Sequence, residues 1–192
     1  MSQDAAAQRR ARQTVTNLVL ALGASAGLVL ALVLMVPRDD SNLIKHVDYV
    51  SIATDAADAT ERPIIVPKVE NGWWSNAARL TTSPKDGTEA TWYVGFVSPK
   101  NEYVGLTQAF GTNPTWLALQ LNGLAPTGTR TLGGQTWAVW ESPVKNDPPK
   151  TRDFTMVAEF GSDTVLVYGT AGVADFEKLV ESVSEQIRAL YP

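Results

Sequence analysis

Cysteine is absent from the 192 residues, and with it go disulfides, thiolate nucleophiles, cysteine-ligated zinc and the lipid attachment site of a bacterial lipoprotein. A domain without such staples is held by packing. Histidine occurs once, as His46, ahead of the segment read below as the folded domain. Ser-His-Asp catalysis and metal sites built on two or more histidines are thereby excluded. Basic residues are also scarce where a folded domain could use them. Of 16 Lys and Arg and 20 Asp and Glu, only Arg9, Arg10, Arg12 and Asp4 precede the longest apolar run, which leaves 13 basic against 19 acidic residues beyond it, a net of −6. Phosphate contacts dominate affinity for nucleic acid, and an acidic domain without a basic stripe is not built to make them. No phosphate-cradling glycine loop appears, because Gly133-Gly134 joins two strands rather than a strand and a helix. No cofactor is expected.

The apolar run itself, Val15 to Val36, holds 22 residues without a charge; as a helix it spans roughly 33 Å, the thickness of a bilayer's hydrocarbon core. Arg9, Arg10 and Arg12 flank it on one side, whereas Arg38 on the other is offset by Asp39 and Asp40, so the positive-inside rule places the N-terminus in the cytoplasm. A cleaved signal peptide has a shorter apolar region ending in a small-x-small site. Here the only such triplet, Ala24-Ser25-Ala26, lies mid-span. The expected organisation is a cytoplasmic tail over 1–14, a transmembrane helix over 15–36, a linker over 37–46 and an extracytoplasmic domain over 47–192. Gly23 and Gly27 carry the spacing that lets two membrane helices approach closely and so admit a homodimer, although small residues are common in such helices.

Beyond the linker, Asp48 is placed to cap a helix running to about Thr60, ended by Arg62-Pro63, with Tyr49, Ile52 and Ala56 on one face. An extended apolar bridge, Pro63 to Pro67, leads through Asn71-Gly72 into a strand from Trp73-Trp74 to Thr82. Alternating patterns mark strands over Ala90 to Val97, with Trp92, Val94 and Phe96 on one face, and over Tyr103 to Phe110, separated by Pro99 to Glu102. Asn113-Pro114 reads as an N-cap followed by proline at the first helical position, opening a short helix to Leu121. Thr127–Leu132 and Gln135–Ser142 flank Gly133-Gly134 as a hairpin, and Lys145 to Lys150 reads as an exposed loop. A further hairpin joins Arg152–Phe160 to Thr164–Thr170 through Gly161-Ser162-Asp163. The final segment repeats Val173, Phe176, Val180, Val183, Ile187 and Leu190 at steps of three and four, an amphipathic helix. The fold class is α+β: an antiparallel sheet with helices packed on it, preceded by one transmembrane helix.

Few residues are left to carry chemistry. Ser142-Pro143-Val144-Lys145 matches the Ser-x-x-Lys pattern of penicillin-interacting serine enzymes, but that mechanism needs the motif on a helix and Pro143 makes a loop. Glu141 and Glu159 on neighbouring strands are the one nameable carboxylate pair, and glycoside hydrolysis needs two suitably separated acids. Six tryptophans fall between Trp73 and Trp140. Trp92 and Trp137 sit on apolar strand faces, while Trp73, Trp74 and Trp140 include indoles that must point the other way, a candidate surface for a glycan, a lipid or a protein.

Val47-Asp48-Tyr49, Gly72-Trp73 after the proline-bounded segment, Thr91-Trp92-Tyr93-Val94-Gly95-Phe96, the strand from Gly105 to Gln108, Trp116-Leu117 and Gly134-Gln135-Thr136-Trp137 together resemble the actinobacterial domain-of-unknown-function family 4245. Its members are small envelope proteins with one N-terminal span, and the resemblance covers most of the chain from Asn17 onward. It implies a place in the cell envelope and brings no activity or functional residues. The strand order with its terminal helix is also similar to the PsbP-like fold, which includes non-catalytic accessory and binding proteins. The expectation is a membrane-anchored, non-catalytic module that binds an envelope protein or a cell-wall ligand. The alternatives are a carboxylate-based glycan hydrolase and a lipid carrier with a cavity between sheet and helices.

Overall fold

The computed structural model describes residues 2–35, 45–82, 87–144, 146 and 150–191. The chain falls into two compact units, Met1–Leu43 and Ile44–Pro192. Val36, most of the expected linker, Ser83 to Asp86 in the turn between the strands ending at Thr82 and beginning at Ala90, and Lys145 and residues 147–149 of the expected loop lie outside the described residues.

The first unit is a single helix, α1 (Ser2–Met35). Its stretch Arg12–Met35 is long and apolar enough to cross a membrane, 24 residues or about 36 Å at the helical rise. The helix starts well ahead of the apolar run, so the span is one part of a longer rod. Two hydroxyls within the span are satisfied by the helix itself: Thr16 Oγ1 donates to Arg12 O and Ser25 Oγ to Ala21 O, both at 2.9 Å. Bonds of this kind leave no hydroxyl donor unpaired in an apolar surround.

The second unit contains α2 (Tyr49–Thr60), β1 (Trp74–Thr82), β2 (Ala90–Val97), β3 (Tyr103–Phe110), α3 (Pro114–Gln120), β4 (Gly128–Leu132), β5 (Gln135–Glu141), β6 (Phe154–Phe160), β7 (Asp163–Gly169) and α4 (Val173–Leu190). The strands form one seven-stranded sheet in the order β1-β2-β3-β7-β6-β5-β4, and all neighbours are antiparallel. Two meanders, β1–β3 and β4–β7, are therefore joined edge to edge through β3 and β7.

Local chemistry explains the elements. Asp48 accepts from Ser51 N to start α2, and Asn113 accepts from Trp116 N to start α3, whose Pro114 needs no N–H there. Gly133 and Gly134 adopt φ of 55° and 79°, the pair of positive values that a two-residue hairpin demands. A side chain at Gly133 would also meet Ser184 and the Glu181 carbonyl of α4, so the same glycine lets the last helix dock.

One face of the sheet carries the main core. Trp92, Val94, Phe96, Leu106, Trp137, Met156 and Val167 are wholly buried there under Ala53 and Ala56 of α2 and Phe176, Val180, Val183 and Ile187 of α4. Trp137 Nε1 donates to Ser184 Oγ at 3.0 Å, so this large core side chain leaves no orphan donor. The opposite face carries a smaller cluster, in which Trp116 and Leu121 of the α3 region pack on Trp140, Val157 and Leu166.

Polar groups tie the chain segments that lack regular structure. Gln108, wholly buried on β3, accepts from Ile65 N at 2.8 Å and donates to Pro63 O at 2.8 Å and Tyr191 Oη at 3.0 Å. Trp92 Nε1 completes the set by donating to Ile65 O at 3.1 Å. Arg62 grips both oxygens of Asp163 at 2.7 Å. Asp163, expected as a turn residue, is instead the buried first residue of β7.

Candidate binding cleft

The structure does not gather the three candidate tryptophans. Trp73 is half-buried against the main core and lines a small cleft of about 200 Å³ with Lys178, Glu70 and Ser182. Trp74 stacks on the ring of His46 at 4.6 Å. His46, expected in the linker, thus belongs with the domain, and Val47 N already donates to Ser75 O at 2.8 Å. Trp140 lies five strand positions away across the sheet, about 24 Å at the usual strand spacing. It is 7% exposed, with Nε1 donating to Leu124 O at 3.1 Å.

The carboxylate pair is also separated. Glu141 lies opposite Phe154 in the β5–β6 register, and Glu159 is five residues further along β6, about 17 Å. Residues paired across antiparallel strands share a face and alternate along each strand, so Glu141 and Glu159 point to opposite sides of the sheet. They cannot flank one glycosidic bond. In the Ser-x-x-Lys segment, Ser142 Oγ donates to Val144 O at 3.0 Å across the proline turn, and Lys145 is outside the described residues. Among the described residues, His, Asp and Glu side chains do not gather in a group of three that could hold a metal ion.

Glu141 acquires a different neighbourhood. Where β5 ends and α4 begins, a cleft of about 390 Å³ opens between the edge of the main core and the loop that follows β5, within the size range of ligand sites. Its floor is Phe154 and Phe176, packed edge to face at 5.1 Å. Val144 and Val173, 63% and 65% exposed, form apolar lips. Most polar groups at the rim are already engaged. Arg130 donates to Glu177 at 2.8 Å and lies 5.7 Å from the Phe154 ring centre. Asp153 accepts from Lys150 N and from Asn146 Nδ2, both at 2.8 Å, and these bonds hold its pKa below the usual carboxylate value. Glu141 has no hydrogen-bond or ion-pair partner among the described residues. The arrangement offers an apolar slot with, at its mouth, a carboxylate that has no partner among the described residues.

A larger hollow of about 450 Å³ runs under α3 beside Trp140. Asn113 caps α3 and Thr112 and Thr164 bond each other at 2.7 Å, while the Glu159 side chain on its wall has no partner among the described residues. It differs from the cleft in having no aromatic pair for a floor and a more polar wall.

Sequence reasoning missed the aromatic residues on the sheet's second face, Tyr93, Tyr103 and Tyr168. The available signal was glycine inside a strand, Gly95 and Gly105, which marks close approach of another group.

The fold and cleft define an α+β domain built on a seven-stranded antiparallel sheet, in a chain whose N-terminal helix could span a membrane. The family model described as a protein of unknown function (DUF4245) matches residues 10–183, and the chain belongs to that family. No curated protein and no solved structure matches it.

Proposed function

We propose that the protein is a membrane-anchored, non-catalytic binding module of the bacterial cell envelope. The N-terminus lies in the cytoplasm and the α+β domain outside, where the cleft at the head of α4 receives part of an envelope protein or a cell-wall component. The cleft carries this reading, because it joins a ligand-sized volume, a rigid aromatic floor and exposed valine lips to a carboxylate without a partner among the described residues. An apolar group with a neighbouring positive charge fits it best. Hydrolysis by Glu141 and Glu159 is not favoured by two acids on opposite faces. Lipid carriage between sheet and helices has little room, since the residues there are wholly buried against one another.

The test is a photo-crosslinking residue at Val173 of the full-length protein in its native membrane, with Ala171→Trp filling the cleft in a parallel sample. A discrete adduct that disappears with Ala171→Trp supports the proposal. An adduct unaffected by filling the cleft, or no adduct at all, overturns the assignment of this cleft.

A further inference from the structure

The open sheet has two edges, β1 and β4, and the fold treats them differently. Main-chain groups along an edge strand pair readily with another chain, so folded proteins blunt such edges with bulges, prolines, lysines or a covering segment. β1 is blunted in this way. A bulge interrupts it between Ser75 and Ala77, and Val47 N donates to Ser75 O at 2.8 Å. β4 has no bulge, proline or lysine. Its register against β5 runs unbroken from Gly128–Val139 to Leu132–Gln135, and Gly128 to Thr131 are all exposed. Among the described residues no strand pairs with its outer side.

The charge that β4 does carry is turned away from the edge. Arg130 lies opposite Trp137, on the face of the main core. It donates to Glu177 of α4 at 2.8 Å and holds its guanidinium 5.7 Å from the Phe154 ring centre, and both contacts draw it inward over the sheet. The turn at Gly133-Gly134 fixes which main-chain groups are left over. Residues that close a two-residue turn exchange hydrogen bonds and the pattern then alternates, so Leu132 and Arg130 bond to Gln135 and Trp137 while Thr129 and Thr131 turn their N–H and C=O groups outward. Charge beside this edge is balanced, with Arg130 and Arg188 against Glu177 and Glu181, in a domain whose net charge is −6. A second acidic domain is therefore not repelled here, and a strongly charged partner gains nothing.

We propose that β4 is the contact between two copies of this chain, which pair antiparallel about a two-fold axis at Arg130 and join their sheets into one. Thr129-Arg130-Thr131 is the same in both directions, so Thr129 lies opposite Thr131 of the second copy, and the two such pairs exchange about four main-chain hydrogen bonds. Threonines directly opposite each other are a favourable cross-strand pair. Neighbouring registers are worse. An axis at Thr129 sets Thr131 against Thr127, whose N–H is already given to Val139 O at 2.7 Å, and an axis at Thr131 sets Thr129 against Gly133 in the turn. The two Arg130 side chains face each other across the axis, but each is held by its own Glu177. The contact is small against the roughly 1,200–2,000 Å² of a stable complex, and confinement of both copies to one membrane raises their effective concentration. The pairing thus rests on the anchor proposed above and not on the cleft.

The chain has no cysteine, so introduced cysteines report alone. Full-length chains with different tags, one carrying Thr129→Cys and the other Thr131→Cys, are co-expressed, and the cells are oxidised with copper phenanthroline. Both positions are exposed. In the proposed register the two substituted residues have Cα atoms about 5.5 Å apart, within disulfide reach, whereas Thr129 and its own counterpart are about 8–9 Å apart, beyond it. The mixed disulfide should take up about half of the chains, the share of mixed pairs in random assortment. Either variant expressed alone should give about tenfold less. Equal yields in single and mixed samples would mark random collision and overturn the pairing. No mixed disulfide among chains that stay with the membrane through alkaline carbonate extraction would overturn the pairing alone. None among chains that carbonate releases would overturn the pairing and the anchor together.

Discussion

Replacing Gln108 tests whether the extended segment before β1 is held by polar pairing or by packing alone. Gln108→Leu keeps most of the side chain's volume and removes three hydrogen bonds, to Ile65 N, Pro63 O and Tyr191 Oη. Ile65 is wholly buried, so its N–H has no route to water, and an unsatisfied buried donor costs about 1–3 kcal/mol. Pro63 and Tyr191 are half-buried and can recover hydration, so each contributes only the net worth of its bond, about 1 kcal/mol. The gain from burying leucine offsets part of this sum, which leaves about 3 kcal/mol. For a domain of this size that lowers Tm by about 6–12 °C. Thermal unfolding of the full-length protein in detergent, followed by near-ultraviolet circular dichroism, reads the shift. Gln108→Glu adds a second arm. Its ionised carboxylate would still accept from Ile65 N but would face the Pro63 carbonyl without a proton to share. Burial and that carbonyl raise the folded-state pKa above the unfolded value of about 4.3. Stability from the protonated form is therefore fully present below about pH 4.3 and lost as pH rises through the folded-state value. The variant's deficit relative to the natural protein should grow from acid toward neutral pH. A fall of less than about 3 °C for Gln108→Leu, roughly what 1 kcal/mol would produce, or a flat deficit for Gln108→Glu, would refute the reasoning.

Tyr103 should ionise above the usual tyrosine value, first because it is buried and then because Tyr93 shares its hydroxyl proton. Since its folded-state pKa is raised, the linked stability is complete below about pH 10 and is lost as pH rises through the folded value. Ultraviolet titration should show a late phenolate component that appears with alkaline unfolding, and Tyr103→Phe should reduce it by one tyrosine, Tyr49 and Tyr191 being raised as well. The anchor reading predicts that the full-length chain stays with membranes through alkaline carbonate extraction, and that protease outside intact spheroplasts removes the α+β domain while sparing the N-terminal tail. Release of a shortened chain into the medium would instead mark α1 as a cleaved signal sequence.

Period and punctuation carried most of the elements. β2 and β3 occupy the residues that alternation assigned, and α3 begins at the Asn113-Pro114 pair for the reason the pair implies. Pairing across the meanders was not legible, because nothing local to Tyr103–Phe110 says that its second neighbour is Asp163–Gly169. That adjacency decides several residues whose roles differ from their local pattern. Asp163 follows Gly161-Ser162 as a turn residue would, but Arg62, 101 positions away, makes it an interior group. Glu141 and Glu159 look like neighbours on adjacent strands until the register shows their opposite parity. The cleft was equally hidden, since Arg130, Glu141, Phe154 and Phe176 come from four elements that meet only after the sheet is ordered.

The order of strands also determines which part of the sheet is covered. The chain leaves β3 in the interior and must reach β4 at the far edge, passing β7, β6 and β5 on the way. That is four strand spacings, about 19 Å. The passage runs over the second face, where Trp116 and Leu121 pack on Leu166, Val157 and Trp140 in turn. A helix of seven residues is about 10 Å long, so the connection covers the strands it crosses and little else. The first meander lies behind its starting point and has no such helix over it among the described residues. There the sheet compensates locally: Gly95 and Gly105 admit the tyrosines close to the backbone, and Arg79 and Arg152 lie across their rings. The guanidinium planes shield the aromatic surface beneath them. The path of one crossover thus decides which strands α3 covers and which are closed by tyrosine and arginine side chains instead.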